Sequence, residues 1–361
     1  MQDQGKIGLI YFFSYFFDKP DKIYTLNGFV IFMSFKIDLK DKRILHALDL
    51  NARSPLSKIA KLAGVSKQVV AYRLKQIEKN GLIETYFALI DVSKLGYTLR
   101  KAFVKLHNCG EKEEKKLITS LKNNPNVAWV VSCDGKFDLV FGMRARNIEE
   151  YALQLSKIEN RFGNLFLDVQ IAPIVKGQYF TRQYLINEPA DSIGEFSFGS
   201  VPIDVRLDDL DWCILVEIGK NARKSFVEMA RNLKVSPDVV RKRLSRLEKA
   251  GIVRKYIVIL NNAVMSQQHF KLLLKLRNMS VDRFDSLIEY CHSQQNVIYL
   301  VKTFGNWEFE VDLEVADVVA FRDFLRKIKQ KFADVIKDYD YINISKIHKY
   351  NFCPSKPIVN L

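Results

Sequence analysis

The feature that most constrains the fold of this chain is a long internal repeat. The segment 51–53 (NAR) recurs 170 positions later at 221–223, and the same shift places Gly81 on Gly251 without a gap. Further matches at this shift are Arg73 with Arg243, Asn126 with Asn296 and Gly135 with Gly305. Repeats of roughly 20–50 residues indicate solenoids, whereas this one has the length of whole domains. The 361-residue chain is therefore predicted to contain two copies of one fold.

Each copy contains a basic helix that follows a shorter helix and a tight turn, at 59–83 and again at 229–253. In the second copy the residues at helical spacing on the apolar face are Val240, Leu244 and Leu247. Ser236 can cap this helix and Gly251 can end it. An isolated basic face is usually only a solvated surface. Preceded by a helix and a tight turn, however, it predicts a helix-turn-helix whose second helix enters a DNA major groove.

The outer faces of the two basic helices and the segments after them supply the predicted DNA contacts. The residues are Ser66, Lys67, Gln68, Tyr72, Arg73 and Lys75 in the first copy, and Ser236, Asp238, Arg241, Lys242, Arg243, Arg246, Arg254 and Lys255 in the second. The cations would contact phosphates. Candidates for reading bases are Gln68, Tyr72, Asp238 and Arg241. Arg73 and Arg243 have a second interpretation, because each can bridge to a nearby acid or to the wing.

The second part of each copy shows the order βαββαβ. In the first copy the strands are predicted at 101–107, 127–134, 137–143 and 165–175, and the helices at 111–123 and 148–162. This order builds a four-stranded antiparallel sheet with both helices on one face. The free face is predicted to meet the sheet of the other copy, through candidates that are Phe103, Trp129, Val131, Leu139 and Phe141.

The ordered set of motifs resembles the Lrp/AsnC (feast/famine) family of transcription regulators. In the first copy the motif residues are Ile37, Asp38, Asp41, Ile44, Leu45, Val70, Arg73, Leu74, Ile77, Glu78, Gly81, Gly135 and Asp138, and the second copy repeats the set from Leu207 to Gly305. The resemblance implies an α+β fold with two copies of a winged helix-turn-helix followed by a ferredoxin-like (RAM-type) domain. It also implies double-stranded DNA as partner, self-association through the sheets and an amino-acid-like effector. Effector contacts would fall on Gly135, Asp138, Gly305 and Glu308.

Two departures from the family pattern raise specific expectations. Lys234 stands where the first copy has Gly64, so the turn in the second copy is expected to be altered, because a left-handed backbone costs a non-glycine residue about 1 kcal/mol. Glu308 replaces Asp138, so the second effector position is expected to be changed or lost. Asp38 and Asp208 are predicted to be helix caps rather than catalytic acids.

The predicted boundaries follow the repeat. They are 33–91 and 205–261 for the winged helix-turn-helix domains, 97–176 and 268–348 for the ferredoxin-like domains, 177–204 for the linker and 349–361 for an irregular tail. Residues 1–32 differ from the rest and are interpreted as an extension upstream of a start at Met33. The apolar run at 7–17 is too short to cross a bilayer, so no membrane partner is expected.

Charge, cysteines and histidines narrow the function. A net charge of +15 predicts a polyanionic partner. The five cysteines form no CxxC pair and the five histidines show no ligand spacing, so no metal, cofactor or catalysis is expected, and a reducing cytoplasm, at the nucleoid, fits best. Two alternatives stay open. One is an enzyme similar to the sirohaem decarboxylases, which would need a histidine-bearing strand where 127–134 reads VAWVVSCD. The other is a ligand sensor or scaffold that does not bind DNA.

Overall fold

The computed structural model describes residues 24–26, 29–31, 37–107, 109–187, 196–199, 202–203, 205–278 and 280–354. Residues 1–36 form a unit separate from residues 37–361. Within it, strands β1 (Tyr24–Leu26) and β2 (Phe29–Ile31) pair in antiparallel fashion. The rest of the predicted extension lies outside the described residues, so its interpretation stays a prediction.

The first copy (37–187) is a three-helix domain followed by a βαββαβ unit. Its elements are α1 (Leu39–Leu50), α2 (Leu56–Ala63), α3 (Lys67–Lys79), β3 (Ile83–Ile90), β4 (Thr98–Leu106), α4 (Glu111–Asn123), β5 (Val127–Gly135), β6 (Leu139–Ala145), α5 (Ile148–Phe162) and β7 (Phe166–Tyr179). Asp38 caps α1 through a reciprocal capping box with Asp41. The predicted capping role is confirmed.

The second copy (205–354) repeats this order. After β8 (Phe196–Phe198), its elements are α6 (Asp209–Lys220), α7 (Phe226–Leu233), α8 (Pro237–Lys249), β9 (Val253–Leu260), β10 (Gln268–Leu276), α9 (Val281–His292), β11 (Val297–Thr303), β12 (Phe309–Val315), α10 (Val318–Lys331) and β13 (Ile336–Tyr350). Asp208 caps α6 as predicted. Lys234 takes φ 54° and ψ 42°, close to the 67° and 36° of Gly64. The expectation of an altered turn is therefore wrong: the lysine adopts the left-handed conformation.

The two four-stranded sheets join at both edges and close into an eight-stranded barrel. β13 pairs with β5, and β11 pairs with β7. A closed barrel leaves no sheet edge open. The strand β8 adds to β7 outside this ring. The prediction that one sheet meets the other is confirmed, with the addition that the edges also hydrogen-bond.

Each sheet has a helix-facing core, and the two sheets share a third core inside the barrel. The shared core contains residues of both copies, among them Phe103, Val131 and Trp307. Leu139 and Phe141 were expected here but face the helices of the first copy instead. The period of two along β6 explains the error, because the residue between them, Val140, is the one that faces inward.

The two helix-turn-helix domains are joined by a two-stranded antiparallel ribbon of β3 and β9. Each strand therefore pairs with its counterpart in the other copy and not within a wing of its own domain. The first part of the predicted linker is docked as expected: β7 continues to Tyr179, which is fully buried, and a short 3-10 turn follows at Gln183–Leu185. No helix in the described ranges is both long and apolar enough to cross a membrane.

Candidate nucleic-acid interface

The first basic helix, α3, is fastened to α1 by an ion pair. Arg73 Nη1 donates to Asp38 Oδ2 and to Asp41 Oδ1, each at 2.8 Å. The hydrogen bond to Asp41 and the two nearby carboxylates raise the pKa of Arg73. The structure therefore supports the second interpretation of Arg73: it ties α3 to the start of α1.

The second basic helix, α8, is fastened in the same way but with one more cation. Arg243 pairs with Asp208 and, at 3.4 Å, with Asp211. Arg246 also pairs with Asp211, although its side chain remains 57% exposed. Arg243 thus joins α8 to the start of α6, whereas the more exposed Arg246 can still reach a phosphate.

The outer face of α3 carries one large aromatic side chain. Tyr72 is 67% exposed, and its neighbours Lys67, Gln68 and Lys75 are exposed as well. Ser66 caps the N-terminus of this helix, because its Oγ accepts a hydrogen bond from the Val69 amide at 3.3 Å. This face therefore offers an amide, an aromatic ring and two lysines to a groove.

The outer face of α8 is more cationic. Arg241 and Lys242 are exposed. Arg241 Nη1 donates to Asp238 Oδ1 at 3.0 Å, and its guanidinium lies 5.5 Å from the ring centroid of Phe226. An arginine held by a carboxylate and a ring is pre-organised for bidentate recognition. Ser236 caps this helix through the Val239 amide at 3.3 Å.

Two arginines that the sequence reading did not single out cross the ribbon between the domains. Arg53 Nη1 donates to the Ala222 carbonyl at 2.5 Å and to the Lys224 carbonyl at 3.0 Å. Arg223 Nη1 donates to the Ala52 carbonyl and, at 3.5 Å, to the Ser54 carbonyl. The Asn-Ala-Arg triplet, which the repeat preserves at 51–53 and 221–223, is the sequence feature that could have identified these two arginines. These reciprocal contacts join the two helix-turn-helix domains in equivalent ways.

The segments after the helices place their two predicted cations differently. Arg254 is exposed on β9. Lys255 is turned toward the barrel, where its Nζ donates to Thr181 Oγ1 at 3.3 Å and lies 4.7 Å from the Tyr179 ring centroid. Burial lowers the pKa of Lys255 to about 8. The role of Lys255 as a DNA contact stays a prediction, which this orientation disfavours, because alternate residues of a strand face opposite sides.

The predicted effector residues lie in the two hairpins, where they contact neighbouring strands. Asp138 Oδ2 accepts from the Leu106 amide at 2.8 Å, and Glu308 accepts from the Leu276 amide at 2.7 Å. The longer side chain thus makes the same bond as the shorter. Gly135 and Gly305 have φ of 117° and 128°, so both need glycine for the turn itself. Effector binding at these positions stays a prediction.

Both helix-turn-helix regions match known family models. Residues 37–78 match the AsnC-type helix-turn-helix domain, and residues 207–254 match a winged helix-turn-helix DNA-binding model. A proline dehydrogenase transcriptional activator of Rhodobacter capsulatus is 34% identical over 116 residues, which cover 32% of this chain and 75% of that protein. The HTH-type transcriptional regulator LrpA of Pyrococcus horikoshii is 46% identical over 63 residues, which cover 18% of this chain and 45% of that protein.

Among solved structures, the sirohaem decarboxylase NirDL resembles the chain over nearly its whole length. The TM-score is 0.57 at 13% identity, and the match covers 89% of this chain and 95% of that one. At this identity the likeness shows a shared two-copy fold. The sequence relatives decide the family: the chain belongs to the Lrp/AsnC family of transcription regulators, with two units of that family in one polypeptide.

Proposed function

We propose that this chain is a sequence-specific DNA-binding regulator in which one polypeptide reads two unlike half-sites. The observation that carries the proposal is the pair of exposed, N-capped helices α3 and α8, joined by the ribbon and by the reciprocal contacts of Arg53 and Arg223. Pairs of recognition helices related by a two-fold axis suit palindromic sites. The relatives named as transcriptional regulators support the same function.

The two helices differ at the positions that would face bases. Tyr72 corresponds to Lys242 across the repeat, and Gln68 corresponds to Asp238. Glutamine and an aromatic ring suit adenine and the thymine methyl group, whereas Arg241 suits guanine. We therefore expect an imperfect palindrome with one A·T-rich half and one half that contains guanine.

The proposal is tested by selection of bound sequences from a random duplex pool, followed by affinity measurements across a salt series. We expect an enriched asymmetric motif. Tyr72→Ala should relax one half-site only, and Arg241→Ala the other. A perfectly symmetric motif would contradict the assignment of unlike half-sites, and the absence of any enrichment would contradict sequence-specific regulation.

The salt series separates phosphate contacts from general charge. Lys242 and Arg246 are the α8 cations assigned to phosphates. Removing both in Lys242→Ala/Arg246→Ala should lower the slope of log K against log salt by about 2, at about 0.9 per phosphate contact. The matched control is Arg326→Ala/Lys327→Ala on α10, which removes the same charge from an exposed surface. Equal slopes in the two variants would refute the assignment of this face.

The second candidate function is catalysis of the sirohaem decarboxylase kind, which is supported only by the shared fold. The strands after the first ferredoxin-like helix of each copy, β5 and β11, carry no histidine.

We further propose that an amino-acid-like effector controls DNA binding, and this part of the proposal rests on the family resemblance. A chain that binds DNA with the same affinity with and without candidate amino acids would argue against effector control.

A further inference from the structure

The two copies differ inside the barrel, where β12 of the second copy carries a row of carboxylates. The members of this inner acid row are Glu310, Asp312 and Glu314, and their side chains are at most 4% exposed. The corresponding residues of β6 in the first copy are Val140, Gly142 and Arg144. The barrel interior is therefore acidic on one side only.

The first two acids are neutralised by cations from both copies. Glu310 pairs with Lys101 of the first copy and, at 3.1 Å, with Lys271 of the second. Asp312 Oδ2 accepts from Lys271 at 2.5 Å, and its Oδ1 lies 2.8 Å from His269 Nε2. Lys101 is 5% exposed, so its charge is compensated by the other copy and not by water.

The third acid is neutralised by the first copy alone. Arg182 donates from Nε and Nη2 to Glu314 at 2.7 and 3.0 Å, and from Nη1 to Asp49 at 2.7 Å. This cluster has no counterpart across the repeat. Asp49 corresponds to Gly219, where even a Cβ atom would lie 2.8 Å from Cys353 Cβ.

The ribbon and the strand pairing at the barrel edges do not distinguish one copy from the other. The ribbon pairs β3 with β9, and the arginine contacts across it are reciprocal. Both barrel edges are joined by backbone hydrogen bonds, which any strand can make. The two clusters of buried ions, by contrast, make the two sheets non-equivalent.

We propose that these two ionic clusters make the sheet interface specific for unlike copies, so that a second-copy sheet accepts a first-copy sheet and rejects another second-copy sheet. Two second-copy sheets would bring both acid rows together. Two first-copy sheets would bury Lys101 without its carboxylate. An unpaired buried charge is costly, whereas a paired one is tolerated, so the wrong pairings are penalised more than the right one is stabilised.

The test measures which copies pair with each other once the covalent link between them has been cut. A protease site is introduced at residues 188–195, and the folded full-length chain is cut there, unfolded and refolded with both fragments present. Native mass spectrometry then measures unlike and like pairs. We expect unlike pairs in at least tenfold excess for the wild type. For the neutralised variant Lys101→Met/Lys271→Met/Glu310→Gln/Asp312→Asn, we expect the share of like pairs to rise several-fold toward the statistical one, because only the Arg182 cluster then still penalises like pairs.

A matched control removes two positive and two negative charges from the surface: Arg283→Met/Lys327→Met/Asp323→Asn/Asp334→Asn, which breaks three exposed ion pairs. It should keep the wild-type excess. If the neutralised variant does not fold by circular dichroism, the isosteric Glu310→Gln variant decides by the same measurement, with a smaller rise in like pairs. Like pairs at the statistical share in the wild type, or exclusively unlike pairs in the folded variants, would overturn the proposal.

The uncut chain gives an independent readout. Lys136 pairs with Asp340 of the other copy at an exposed site, so carbodiimide can join them. The corresponding residues are Asn306 and Gln170, so like pairing cannot give this cross-link. After refolding at rising chain concentration, the yield should stay constant in the wild type and fall in the neutralised variant. Equal yields at every concentration would count against the proposal.

Discussion

Replacing Arg182 with methionine should be among the most destabilising single changes in the described part of the chain. Its guanidinium is 4% exposed and serves two carboxylates that are also buried, Asp49 and Glu314. It also donates to the Tyr179 hydroxyl at 3.2 Å and to the Val258 carbonyl at 3.3 Å. Methionine keeps the apolar stem but leaves both acids without their cation.

The loss in the free energy of unfolding depends on which hydrogen bonds to the two acids remain after the substitution. Removing one partner of a buried ion pair costs about 3–5 kcal/mol. Two acids lose their cation in this variant, but each keeps a hydrogen bond. The Tyr184 hydroxyl still donates to Glu314 at 2.5 Å, and the backbone amide of residue 182 still donates to Asp49 at 2.8 Å. We therefore expect a loss of about 4 kcal/mol. With a urea m value of about 3 kcal/mol/M, the midpoint should fall by about 1.3 M.

The assay is urea unfolding followed by circular dichroism and fluorescence, with Lys327→Met as control. Lys327 pairs with Asp323 at 2.6 Å on an exposed helix face, so its removal should leave the midpoint unchanged. Adding Glu314→Gln to Arg182→Met should recover part of the loss, because it removes one orphaned charge. If Arg182→Met unfolds at the same urea concentration as the control, the reasoning about the buried cluster is wrong.

The same cluster has a pH signature. Burial raises the pKa of Glu314, but the Arg182 charge and its hydrogen bonds more than offset this and hold the pKa below its usual value. The wild-type contribution is therefore present above the unfolded pKa of about 4.3 and is lost as the pH falls through the folded pKa. In Arg182→Met the pKa of Glu314 should rise, so the difference between variant and wild type should shrink from pH 7 toward pH 4. A difference that is constant over this range would contradict the assignment.

Two backbone predictions follow from the glycine positions. Lys234→Gly should raise the free energy of unfolding by up to about 1 kcal/mol, because it removes left-handed strain at φ 54°, and an unchanged or lower thermal midpoint would contradict this. Gly135→Ala should lower the thermal midpoint more than Gly81→Ala does, since a Cβ at Gly135 would lie 3.0 Å from the Tyr341 carbonyl whereas that at Gly81 meets nothing within 4 Å. Equal losses would show that only the positive φ matters.

The predictions that succeeded rest on local patterns. The helix caps Asp38, Asp208 and Ser236 were readable because a cap needs a particular residue within one helical turn. The βαββαβ order was readable because strand and helix periods differ. The second copy acted as a repeated measurement of the same pattern.

The predictions that failed concern the direction of a side chain or the response of a backbone to its surroundings. Leu139 and Phe141 were expected between the two sheets, but the alternation along β6 turns them toward the helices of the first copy. The turn at Lys234 kept its left-handed conformation because the helices on either side fix it. A cost of about 1 kcal/mol is small compared with the burial of a helix face.

The sequence by itself determined that the chain contains two related units, each with a basic recognition helix and a ferredoxin-like sheet, because helix, turn and strand patterns are local. Only the tertiary structure decided that the two sheets close into one barrel, and that Glu310 is balanced by Lys101, 209 residues away. Sequence spacing carries no information about such a partner. The choice is made when the sheets close, because a buried carboxylate is stable only beside a cation that the fold brings to it.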